Sequence, residues 1–180
     1  PYDVAPFARA GDSFAITQTN IKKYPVRDSC QLPVDTALEL RSKIAANDIA
    51  TLNISTYESA YKGAVADPEL WAPKTRETAD HSMLVAVATA LIDGEVTPET
   101  FTSKRFLDED VLTLIGQTQV VISEAFSRET PAIRNCLLEA TDASGTAYTA
   151  HGKLTAADIG RGPSDAELEI KFHNLNANTL

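Results

Sequence analysis

The chain has 180 residues, enough for one well-buried core and too few for two ordinary domains. With 43% hydrophobic and 23% charged residues, its composition is that of a globular protein, neither disordered nor collagenous. A formal net charge of −9 argues against nucleic acid or an anionic membrane surface as partner, and it restricts an anionic ligand to a local basic cluster.

Phe14–Lys22 (FAITQTNIK) alternates apolar and polar residues and reads as a half-buried strand, broken by Tyr24-Pro25. The opening PYDVAPF reads as the interior of a longer protein. Val26–Gln31 reads as a polar connector into a helix. Pro33 suits that helix's first turn, Asp35 its N-terminal dipole, and Val34, Ala37, Leu38, Ile44 and Ala45 its apolar face, with Asn47 at the end. Ile49–Thr56 alternates again and reads as a second strand. Tyr57–Ala66 fits a short helix closed by Asp67-Pro68. Pro68–Ser82 is polar, carries two prolines and reads as an irregular loop, of a length that often serves function.

Leu84–Ile92 is apolar nearly all round, which predicts a helix buried on most sides, capped by Gly94. The apolar run Met83–Ile92 is far too short to span a membrane. Thr97-Pro98-Glu99 signals another short helix, and Asp108–Ile115 a further one with Val111, Leu114 and Ile115 on one face. Gln119–Phe126 reads as a strand. Arg134–Ala140 and Thr146–Gly152 flank the turn Asp142–Gly145 as a hairpin. Ser164 and Glu167 have capping-box spacing ahead of a last helix whose face carries Leu168, Phe172 and Leu175. The sum predicts a single α+β domain over 1–180, with an antiparallel or mixed sheet and helices packed mainly on one face.

Two segments carry candidate chemistry. Lys74, Arg76, Glu77, Asp80, His81 and Ser82 precede the buried helix, whose N-terminus favours a carboxylate or phosphate. Lys74 and Arg76 would add charge-assisted bonds, and His81 would serve as acid or base near neutral pH. Simpler roles are open to the same residues: Asp80 or Ser82 capping the helix, Arg76 pairing with Glu77 or Asp80, and His81 packing. The second segment, Arg27, Asp28, Ser29, Cys30 and Gln31, also stands before a helix. Ser29 and Gln31 would supply hydrogen bonds there, and Cys30 reads equally as a small buried hydrophobe. His151 and His173 are isolated, no metal-ligand spacing occurs, and Cys30 and Cys136 alone do not form a disulfide framework.

At these segments the sequence resembles the second domain of the MmgE/PrpD family, which includes 2-methylcitrate dehydratase and cis-aconitate decarboxylase. The resemblance runs through IKKYP (Ile21–Pro25), CQLPVDTALEL (Cys30–Leu40), PKTRETADHS (Pro73–Ser82), ALIDGEVTPETF (Ala90–Phe101) and PSDAELEIKF (Pro163–Phe172), in that order. It implies a lid-type domain over the active site of a large helical catalytic domain absent from this chain. It also implies a tricarboxylate or related acid as substrate, no metal and no organic cofactor, and proton abstraction beside a carboxylate. His81 would then be catalytic, and Ser29, Cys30, Gln31, Lys74, Arg76 and Ser82 would bind substrate. The chain departs from the family's pattern at Asp28–Gln31, which has no His, and at His81–Leu84, which is shorter and lacks a Tyr. The expected partners are the helical domain of the parent enzyme and a second copy. The expected location is the cytoplasm, or the mitochondrial matrix in a eukaryote.

Overall fold

The computed structural model describes Gly11 and residues 19–176. The chain divides into two compact units, one of residues 22–156 and one of residues 1–21 with 157–180. The buried apolar core, from Val26 to Ala150, lies within the first.

That unit is built on four strands: β1 (Ile49–Thr56), β2 (Thr118–Ile122), β3 (Ile133–Asp142) and β4 (Ala147–Thr155). Their order is β2-β1-β3-β4. β1 and β2 are parallel, with Leu52 opposite Thr118, while β1–β3 and β3–β4 are antiparallel. The sheet is therefore mixed. Side chains alternate across it: Leu52 and Ile54 of β1 and Cys136, Leu138 and Ala140 of β3 are buried towards the helices. Asn53 and Ser55 are half-buried on the opposite face, and Glu139 is exposed there.

The first helix, α1 (Asp28–Arg41), lies over β3 and β4. It starts earlier than Pro33 suggests and ends before Asn47. Pro33 sits inside it, buried, and the segment expected as a connector supplies its first turn. α2 (Glu58–Ala64) follows β1 directly. The supposed irregular loop after it is largely helical. Pro68–Trp71 forms a 3-10 turn capped by Asp67, and α3 (Arg76–Asp80) is capped by the Thr75 hydroxyl.

α4 (Met83–Asp93) is the apolar helix expected from the sequence, with every residue from Met83 to Leu91 buried. α1 packs on one side of it and α6 (Glu109–Gly116) on another. The Ser82 hydroxyl accepts the Val85 N–H to begin α4, and Gly94, at φ 79°, ends it in the left-handed conformation that glycine adopts without a Cβ clash. α5 (Pro98–Thr102) opens with a capping box formed by Thr97 and Thr100.

The expected strand Gln119–Phe126 is only half realised. β2 stops at Ile122, and the Ser123 hydroxyl accepts the Phe126 N–H to start α7 (Glu124–Glu129), which packs against β3. Outside the sheet unit lies α9 (Asp165–Asn176), preceded at the boundary by α8 (Ala156–Arg161), which periodicity did not reveal. The capping box of α9 is present: Ser164 N–H donates to the Glu167 carboxylate, and Glu167 N–H to the Ser164 hydroxyl. For the expected strand Phe14–Lys22, residues 14–18 lie outside the described residues, and residues 19–22 are not in a strand. Among the described residues, no helix is long and apolar enough to cross a membrane.

Candidate functional site

The two segments chosen from the sequence meet in the fold. Arg27 N–H donates to the Asp80 carbonyl at 3.0 Å, tying the entrance of α1 to the end of α3. Beside this bond is an open groove of about 430 Å³, with Arg27, Gly63, Glu69, Leu70, Glu77 and His81 among its lining residues.

His81 is placed by the end of α3. Its Nδ1 lies 2.8 Å from the Glu77 carbonyl oxygen and also contacts the Asp80 carboxylate. A carbonyl oxygen can only accept, so Nδ1 is the donor in this contact. The ring is half exposed, at 51% of its side-chain surface. The ring's orientation is thus set at Nδ1 by a carbonyl and a carboxylate.

Arg27 is one of two basic residues at the groove, with Lys62. It is the N-cap residue of α1 but does not cap with its side chain. Its guanidinium lies over the bare Cα of Gly63, where an added Cβ would come 3.0 Å from Nη2. Among the described residues it forms no ion pair, whereas Lys62, also at the groove, is paired with Glu58. Glu69 and Glu77 border the same groove, so its net charge is not positive. The helix end itself is already served: Asp28 puts a carboxylate in the first turn of α1, and that carboxylate pairs with Arg134 at 2.6 Å.

The remaining predicted residues are placed differently. Ser82 is fully buried; its hydroxyl donates to the Leu70 carbonyl at 2.6 Å while capping α4. Cys30 is fully buried on α1, and burial pushes its thiol up to about 12, outweighing the Ser29 hydroxyl and the Arg27 charge. A thiol held protonated in this way is not a nucleophile near neutral pH. The Ser29 hydroxyl is buried beside it without a partner of hydrogen-bond geometry. Gln31 spends its carboxamide on the backbone of Lys23, Tyr24 and Val26. Lys74 and Arg76 are exposed and are not among the groove's lining residues. Of the seven residues singled out, then, only His81 lines the groove. Arg27, noted in sequence only as a residue before a helix, also lines it, and α1 begins one residue after it.

A larger open cavity, about 580 Å³, lies against Arg105 between α6 and the residues before β1. Arg105 is not free to bind a ligand there, because its guanidinium donates to Asp93, Asp108 and Asp110. Among the described residues, no group of His, Cys, Asp and Glu is arranged to hold a metal ion.

A comparison with curated proteins finds no match. The sheet with its covering helices, the paired segments at the groove and the α9 capping box all fall within residues 24–180, and these are the residues matched by the model of the MmgE/PrpD C-terminal domain; the chain belongs to that family.

Proposed function

We propose that this chain covers the substrate in a cofactor-independent lyase of the 2-methylcitrate dehydratase type, contributing contacts to a tricarboxylate and having no activity alone. The observation that carries this reading is the joining of Arg27 to the His81 segment through the Asp80 carbonyl. It sets around one open groove a guanidinium with no ion pair among the described residues and the imidazole of His81. A guanidinium can take one carboxylate in a bidentate contact, and the imidazole can give or take a proton beside it. One arginine bordered by Glu69 and Glu77 does not balance three carboxylates. The remaining positive charge must come from another protein surface, which is why the reading is of a lid.

In a parent enzyme carrying this sequence, His81→Ala is expected to lower turnover of 2-methylcitrate at least about tenfold. Turnover like that of the wild type would remove His81 from the mechanism. Decarboxylation or epimerisation of a related acid would use the same contacts, and assay of the parent on those substrates separates the three.

A second reading, a non-catalytic ligand-binding or dimerisation module, is favoured by the structural roles of Ser82, Cys30 and Gln31. Calorimetry showing no tricarboxylate binding, together with a stable dimer in sedimentation, would establish it in place of the first.

A further inference from the structure

Gln31 has the most completely used polar side chain near the groove. Its Oε1 accepts the N–H groups of Lys23 and Tyr24, both at 3.0 Å. Its Nε2 donates to the carbonyls of Tyr24 at 3.0 Å and Val26 at 3.1 Å. A carboxamide has two acceptor sites and two N–H donors, so nothing remains for a ligand. All of these bonds go to the short segment that ends at Arg27. One turn of α1 therefore reaches back and fixes the path of the chain leading into it. Two further contacts hold the same segment from α1: Asp35 accepts from Lys23 Nζ at 2.7 Å and from the Tyr24 hydroxyl at 2.6 Å.

We propose that Gln31 is a positioning residue for Arg27, fixing the segment 23–27 so that the guanidinium stays over Gly63 at the groove. The proposal rests on the reading of this groove as a carboxylate site. It gives Gln31 a function exerted through Arg27 and not by touching substrate. The side-chain chemistry is restrictive. Glutamate would keep both acceptor contacts but set a charged oxygen against two carbonyls, and methionine would lose every bond at nearly the same length.

The test uses the isotope-labelled 180-residue chain titrated with citrate as the tricarboxylate probe, followed by nuclear magnetic resonance. Arg27→Met and Gln31→Met are each expected to weaken citrate binding about tenfold. The double variant is expected to bind no more weakly than Arg27→Met alone, since the same contact cannot be lost twice. A double variant weakened by the product of the two effects, or Gln31→Met with wild-type affinity, would overturn the proposal.

The position is also read without ligand. A nuclear Overhauser effect between the Arg27 side chain and the Gly63 Hα should be present in the wild type and absent in Gln31→Met; its persistence in the variant likewise sinks the idea. If citrate leaves the wild type unchanged, this groove does not hold a tricarboxylate without a second protein surface, and the Arg27–Gly63 effect alone decides the positioning claim. Should Gln31→Met not fold, Gln31→Glu enters the same comparison.

Discussion

Gly152 sits where α1 crosses β4. A Cβ there would come within 2.2 Å of the Thr36 hydroxyl and 2.9 Å of Leu32 Cδ1. Thr36 is buried and its hydroxyl donates to the Leu32 carbonyl, so it has little room to yield. Gly152→Ala should destabilise the fold by about 1–3 kcal/mol, measured by urea unfolding, as overpacking does. Combining it with Thr36→Ala should recover part of that loss. Equal losses with and without Thr36→Ala would place the strain elsewhere. The same packed layer explains the thiols: Cys136, opposite Gly152 in the sheet, is pushed up to about 12 by burial, as Cys30 is. None of this is legible in the sequence around Gly152, which reads only as the end of a hairpin strand.

At the scale of elements, signals made by neighbouring residues were readable and signals made by distant ones were not. β1 has the bounds its alternation predicts, and α4 is buried from Met83 to Leu91 as its composition requires. The hairpin turn forms around Asp142, which accepts the Ser144 hydroxyl and the N–H groups of Thr146 and Ser144 and is thereby held below the usual carboxylate range. By contrast, the start of α1 was misplaced because Pro33 resembles a first-turn proline, and tertiary packing extends the helix beyond it. The strand expected through Phe126 breaks because Ser123 supplies a cap just as β2 ends.

The C-terminus of α4 depends on another element. Arg41, at the end of α1, donates to the carbonyls of Leu91 at 2.7 Å and Ile92 at 3.1 Å. α4 has no basic residue in its own last turn, so Arg41 supplies the positive charge that its dipole favours. Arg41→Met should therefore cost about 1.5–3 kcal/mol in urea unfolding, the range for hydrogen bonds to a charged group. A change within about 0.5 kcal/mol would show that water replaces the guanidinium at no loss.

For the whole molecule, the distribution of buried residues makes a prediction. Every buried hydrophobic side chain of the described residues falls between Val26 and Ala150. The unit of residues 22–156 therefore holds a complete core, and a chain of those residues should unfold cooperatively in calorimetry. Broad, non-cooperative melting would show that the remaining residues are needed for the core to form. In α9, Ile170, Phe172 and Leu175 are more than half exposed, although sequence spacing grouped Phe172 and Leu175 on one apolar face.

By itself the sequence determined the α+β class, the apolar helix, the hairpin, the caps and the two segments where chemistry was expected. Those properties follow from patterns within a few residues: alternation, helical spacing and side chains that bond nearby backbone. Only the tertiary structure decided how those segments are used. It turned Ser82 into a buried cap, Cys30 into a core thiol and Gln31 into a backbone clamp, and it brought Arg27 and His81 to one groove. The physical reason is that a polar side chain's role depends on which donors and acceptors surround it after folding. Here those partners include the Leu70 and Asp80 carbonyls, which no local pattern places beside Ser82 and Arg27.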